Sequence, residues 1–179
     1  MLFDISGQDV YIAQTGLIGS SPNGTLPNHN TGFVAKPGPR SIDGGNEVQL
    51  VLEAEQGGVK LTKTFTFKRG DYVIGLRHDV TNLNQAPVTP SLYLQLQNDG
   101  NKPASDSYFN SSYTGPTLYT STDKYQKLTF EDIEKNKANH ATKASDGWVA
   151  ISQHFFVSAF IPADKAAREI YTKKVDNNL

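Results

Sequence analysis

The strongest constraint on this chain is a two-residue period that runs from Glu47 to Val80. In "EVQLVLEAE", Val48, Leu50, Leu52 and Ala54 share one face, and Glu47, Gln49, Val51, Glu53 and Glu55 share the other. A helix would scatter these positions around its axis, whereas a strand sorts them onto two sides. Gly57 and Gly58 follow and tolerate the positive φ of a tight hairpin. Next, "VKLTKTFTFK" puts Val59, Leu61, Phe65 and Phe67 on one face, interrupted by Lys63, and Lys60, Thr62, Thr64, Thr66 and Lys68 on the other. After the turn "RGD", the run "YVIGLRHDV" groups Tyr72, Ile74, Leu76, His78 and Val80. This pattern predicts a three-strand antiparallel meander with one wet side.

Three further runs read as strands: "DVYIAQTGL", "SLYLQLQ" with Leu92, Leu94 and Leu96 on one face, and "REIYTKKV". The one helix signal is "TFEDIEKNK", where Thr129 with Asp132 can form a capping box and Glu131 with Lys135 an i,i+4 pair. Two long irregular stretches, Ser20 to Asn46 and Gln97 to Pro116, separate these elements. Many strands at short spacing with little helix predict an all-β sandwich. A length of 179 residues suits one domain with its own core. No apolar run approaches the ~20 residues of a membrane span, and "LFDISGQDVY" has neither region of a secretory leader. The last residues, "IYTKKVDNNL", stop just after a strand-like run, a pattern that an excised fragment and a natural terminus share.

Composition removes several functions. The net charge is -1 with the signs interspersed, so there is no basic footprint for nucleic acid or for anionic lipid. With no cysteine, disulfides and thiolate metal sites are excluded. The four histidines, His29, His78, His140 and His154, lie far apart without metal-ligand spacing.

The most apolar run, "SDGWVAISQHFFVSAFIP", holds His154 in its middle. Read as one strand, it carries large apolar groups on both faces. That predicts a central strand ended by Pro162, with His154 a hydrogen-bonded member of a packed layer. Ser152, His154 and Asp146 spell a triad, yet no glycine-rich elbow surrounds the serine and no separate element supplies the base. The carboxylates of "EDIE" are neighbours on one short helix, where a glycosidase needs two across a cleft. Arg69-Gly70-Asp71 is explained by hairpin geometry, with Gly70 at positive φ and wet charges beside it. No catalytic or metal-ligating residue and no cofactor is therefore expected. Aromatics on a long loop suit partner binding and equally suit plugs that pin the loop to the sandwich; on the first reading Tyr108, Phe109 and Tyr113 are candidate contact residues, with Tyr119 beside them.

Three strings, "KTFTFKRGDYVI", "YTSTDKYQKLTFEDI" and "GWVAISQHFFVSAFIP", in that order, resemble the large periplasmic domain of the YidC membrane-protein insertases of Gram-negative bacteria. "YIAQTGLIG" is similar to an early strand of that family, so the resemblance covers most of the chain. Where the family often has two glutamines and a tyrosine, this chain has Gln153-His154-Phe155, so no family chemistry can depend on the imidazole. The resemblance implies an antiparallel β-supersandwich like galactose mutarotase, with one short helix and long loops. It implies a single periplasmic domain over residues 1–179, a fragment lacking flanking strands and all transmembrane helices. Implied too is a non-catalytic role in a membrane insertase and chaperone of the bacterial inner membrane. Its implied partners are Sec translocon subunits and nascent membrane proteins. The alternative reading, by fold analogy, is a carbohydrate-binding or epimerase-like module.

Overall fold

The computed structural model describes residues 10–101 and 113–175. Its elements are β1 (Tyr11–Ile18), β2 (Val34–Ala35), β3 (Glu47–Gln56), β4 (Val59–Lys68), β5 (Gly75–Asn82), β6 (Ser91–Asn98), β7 (Gly115–Thr120), β8 (Lys124–Lys127), α1 (Phe130–Glu134), β9 (Lys143–Ala144), β10 (Trp148–Gln153), β11 (Phe156–Phe160) and β12 (Arg168–Glu169). Among the described residues the fold is all-β with one short helix, as the periodicity predicts. Residues Gln14–Leu94 pack as one compact unit, and the residues before and after them as a second. Strands β1 and β6 pair with each other.

In the unit Gln14–Leu94, a four-stranded sheet runs in the order β2-β3-β4-β5. The meander has the expected register: Gln56 pairs with Val59 across Gly57 and Gly58, whose φ values are 59° and 69°. Two successive positive φ values make the turn whose twist matches that of paired strands. The apolar face buries Val59 and Leu61 completely against Leu17 and Leu26, with Phe33 and Val88 packed alongside. Burying one such aliphatic side chain stabilises the fold by about 1.5–3 kcal/mol. The stretch from Ser20 to Asn46 is irregular yet contributes to this core, since Leu26 and Pro27 are buried and β2 pairs with β3.

One strand is shorter than expected. Asp71 N–H bonds to the Lys68 carbonyl and closes the turn, but the β4–β5 ladder begins at Thr66 opposite Gly75. Tyr72, Val73 and Ile74 therefore have only Phe67 to oppose them and bulge out, with Tyr72 fully exposed. Alternation alone carries no mark of such an insertion.

In the second unit the sheet order is β11-β10-β7-β8, all antiparallel. Leu118 packs with Leu128 and Ala141, and Val149, Ile133 and Ile170 join them. Thr129 caps α1: its Oγ1 accepts from Asp132 N–H at 3.0 Å, and Glu131 pairs with Lys135. The box is not reciprocal, because the Thr129 hydroxyl donates to Asp132 Oδ2 at 2.6 Å.

The apolar run around His154 departs from expectation. It is a hairpin, β10 and β11, with Gln153 paired to Phe156 and a two-residue turn at His154-Phe155. Phe155 takes φ 74° where glycine or asparagine would normally sit, so the usual turn signal is missing. The first half, β10, is central, paired to β7 on one side and β11 on the other, whereas β11 is an edge among the described residues. The strand expected over "REIYTKKV" is reduced to Arg168–Glu169, because its partner β9 is two residues long and the ladder ends with it.

Candidate functional site

Of the three candidate contact residues, Tyr108 and Phe109 lie outside the described residues. Tyr113 stands just ahead of β7 and is tied to the backbone. Its hydroxyl lies 2.6 Å from the Pro116 carbonyl and 2.7 Å from the Leu128 carbonyl, and accepts from Leu128 N–H at 3.2 Å. Lys127 Nζ sits 4.8 Å above its ring. Burial pushes the phenol's pKa up, so the group stays neutral and donating. Tyr113 thus joins the start of β7 to the end of β8.

Beside that strand pair, Tyr119 stacks on Trp148 with 6.3 Å between ring centroids and 18° between planes, and Tyr125 lies tilted at 6.0 Å from Trp148. The three residues are neighbours across β8, β7 and β10, since Tyr119 pairs with both Tyr125 and Trp148. Gly147 makes the row possible: its φ is 83°, and a Cβ there would lie 1.8 Å from the Tyr119 carbonyl oxygen.

Next to this row opens a cleft of about 520 Å³ lined by Ser121, Asp123, Lys143, Asp146, Arg168 and Glu169, among others. Its charges are committed. The Arg168 guanidinium donates to the carbonyls of Gly147, Pro162, Ser145, Ala163 and Ala166, which fixes the turn after β11 and leaves no fork for an anion. The Asp146 carboxylate accepts from Ser121 N–H at 3.2 Å, and Ser121's hydrogen bonds hold its pKa below the usual carboxylate range. Lys143 faces Glu169 at 3.8 Å.

The triad spelled by the sequence does not assemble. Ser152 shares a 3.1 Å hydrogen bond with Thr117, Asp146 is engaged with Ser121, and His154 lies in the hairpin turn against Phe155. On α1, Glu131 pairs with Lys135 and Glu134 with Lys174. Among the described residues, no group of three histidines or carboxylates is placed to hold a metal.

The residue the pattern marked as an exception proves to be the most unusual polar group. Lys63 is buried within the apolar face of β4, between Leu52 and His78. Its Nζ donates to the Thr15 carbonyl and lies 4.1 Å from the Phe33 ring centroid. Burial lowers its pKa. His78 Nε2 lies 3.0 Å from Thr15 Oγ1, and its pKa is also lowered, by burial and then by the nearby Lys63 charge. A lysine breaking an apolar period was the signal available in the sequence. It did not reveal the carbonyl that accepts the hydrogen bond.

A family model described as the YidC periplasmic domain matches residues 1–179. Similar proteins include the "Membrane protein insertase YidC" of Janthinobacterium sp. (strain Marseille), 54% identical over 179 residues, and that of Herminiimonas arsenicoxydans, 55% identical over 180 residues. The protein of the same description from Cupriavidus taiwanensis is 50% identical. Each alignment takes in the whole of this chain and 31% of the relative, so the chain spans about a third of the length of the curated relatives it matches.

Proposed function

The chain belongs to the family of YidC periplasmic domains, and on that premise we propose that it is the non-catalytic periplasmic part of a membrane-protein insertase. The observation that carries this reading is the match over the entire chain to relatives named for insertion rather than for a catalysed reaction. The site geometry supports it. The carboxylates, guanidinium and imidazoles described above are taken up in holding turns and strands, and none faces a second group across a cleft as acid–base catalysis needs. In this reading the domain lies in the periplasm and acts as chaperone and docking module. It contacts nascent membrane proteins and Sec translocon subunits, while membrane-embedded parts of the longer protein carry out insertion. Tyr108 and Phe109 contact the partner, and Tyr113 fixes the end of their segment to β7.

The test is photo-crosslinking from position 108 or 109 of the full-length protein during membrane-protein insertion. Capture of a nascent chain or a Sec subunit is expected, with the yield reduced by alanine at the other position. Absence of both adducts from a folded, inserting protein would overturn the docking role.

A further inference from the structure

Asn23 and Gly24 form the one Asn-Gly step in the sequence, and both residues are exposed. They end a β-turn that begins Ser21-Pro22, with proline second and glycine fourth as such turns favour. Gly24 N–H closes the turn on the Ser21 carbonyl at 3.2 Å. Glycine has no side chain to keep its nitrogen away from the preceding amide, and it takes backbone conformations closed to other residues. Here its φ is 103°, and a Cβ built on it would meet nothing within 4 Å, so the outer side of this peptide is open to water. Asn30, Asn46 and Asn82 are exposed too, but Thr31, Glu47 and Leu83 follow them and crowd the same approach.

The turn is fastened to the Gly57-Gly58 hairpin by side chains whose orientation is fixed by their partners. Asn84 Nδ2 donates to the carbonyls of Gly57 at 3.2 Å and Gly58 at 2.9 Å, and to Asn82 Oδ1 at 3.0 Å. A carbonyl only accepts, so the nitrogen of Asn84 faces the glycines and its oxygen faces Asn23. Asn23 must therefore present a donor, and its Nδ2 lies 2.5 Å from Asn84 Oδ1. Its backbone N–H donates to Ser21 Oγ at 3.3 Å, and that hydroxyl donates to the Gly57 carbonyl. A carboxylate in place of the Asn23 amide would have no proton to give. Asn84 could not turn over to meet it without withdrawing its nitrogen from both glycines.

We propose that Asn23 is a site of spontaneous deamidation in the folded domain, and that the change releases the fastening on the β3–β4 turn in one direction only. The Gly24 nitrogen attacks Asn23 Cγ, the bond from Cγ to Nδ2 breaks, and the Gly24 proton leaves with the amide as ammonia. Water then opens the five-membered imide at either carbonyl, giving aspartate or its β-linked isomer. One water is consumed and one ammonia released, with no oxidant and no cofactor. Either product lacks the Nδ2 donor and sets a carboxylate near Asn84 Oδ1, so two acceptors face each other and the hold of Asn84 on Gly57 and Gly58 is lost.

The test keeps the full-length protein folded in a mildly alkaline buffer and follows the peptide carrying Asn23 by mass spectrometry. The mass gain of an amide turned to an acid is expected at Asn23 several-fold faster than at Asn30 or Asn46 of the same sample. Gly24→Ala, folded by circular dichroism, should slow it several-fold. An Asn23 that converts no faster than those two, or only after urea has unfolded the chain, would overturn the proposal, as would an unchanged rate in Gly24→Ala. The consequence is read by amide exchange on Asn23→Asp. Leu83 N–H donates to the Gly58 carbonyl at 2.8 Å, and it should exchange several-fold faster in that variant, with no further gain when Asn84→Ala is already present. Unchanged exchange at Leu83, or an equal gain in the Asn84→Ala background, would show that the modification does not act through this network. These outcomes are read independently of membrane-protein insertion and leave the functional proposal untouched.

Discussion

Lys63 Nζ donates a 2.8 Å hydrogen bond to the backbone carbonyl of Thr15, from a position on the apolar face of β4. The contact ties β1 to a sheet with which it shares no ladder. It keeps an ammonium group largely out of water, with Phe33 in place of a counter-ion. Desolvation of an ammonium opposes its charged form, which is why its pKa falls.

The consequence is a pH dependence on the alkaline side. The unfolded lysine titrates near its ordinary value of 10.5, and the folded one below it. Between the two values the unfolded chain holds more protons, so stability rises with pH across that window. Lys63→Met keeps most of the stem and removes the titration. Urea melts at several pH values should show the wild-type protein gaining on Lys63→Met as pH climbs toward 10.5. A constant gap would mean the ammonium is well solvated after all.

His78 produces the corresponding effect in acid. Its folded pKa is lowered from 6.5 by burial and by Lys63, with Asp79 opposing. The unfolded chain therefore binds the extra proton first, and stability is lost as pH falls from 6.5 through the lowered value. His78→Gln should remove this part of the acid sensitivity and leave melts above pH 7 nearly unchanged. An acid limb identical to that of the wild-type protein would refute the assignment.

Gly147 and Gly70 separate two costs. Both have positive φ, 83° and 73°. At Gly70 an added Cβ meets nothing within 4 Å, while at Gly147 it meets the Tyr119 carbonyl at 1.8 Å. Gly70→Ala should cost about 1–2 kcal/mol from backbone strain alone. Gly147→Ala should cost more than about 4 kcal/mol, because Tyr119 and Trp148 must also move apart. Denaturant midpoints of the two variants would decide it, and equal losses would contradict the close approach.

Tyr113→Phe isolates the hydroxyl that joins β7 to β8. Loss of a partly buried donor whose acceptors stay behind should destabilise by about 1–3 kcal/mol. Thermal unfolding would show it. No change would mean that water replaces the hydroxyl at the Pro116 and Leu128 carbonyls.

The parts of the fold that showed in the sequence are those where side-chain pattern and turn chemistry agree. Strands β3 and β4 alternate cleanly and are joined by two glycines, so both their faces and their register were legible. The α1 cap at Thr129 was legible for the same reason. The β10–β11 turn was not, because it rests on Phe155 in a glycine-like conformation and no turn residue interrupts the apolar run. The bulge at Tyr72–Ile74 continues the alternation it breaks, so pattern alone could not find it. Strands β7 and β8 escaped notice because "GPTLYT" and "KYQK" are short and rich in turn formers and charge, and the hydrogen bonds that secure them come from Tyr113 and Trp148's strand. Arg69, expected to be merely solvated, donates to the carbonyls of Ile42 and Gly45 and holds the loop before β3. A side chain that bonds to a distant backbone carbonyl leaves no periodic trace.

The central claim is that this domain contributes contacts, not chemistry, to membrane-protein insertion. It is tested most directly by measuring insertion of a small membrane protein into vesicles that carry the full-length protein. The comparison is with the same protein bearing Asp146→Asn, His154→Gln and Ser152→Ala together. The account predicts that the triple variant, folded by circular dichroism, inserts its substrate at the wild-type rate. A folded triple variant that no longer inserts would show that these polar groups perform a reaction, and would contradict the account.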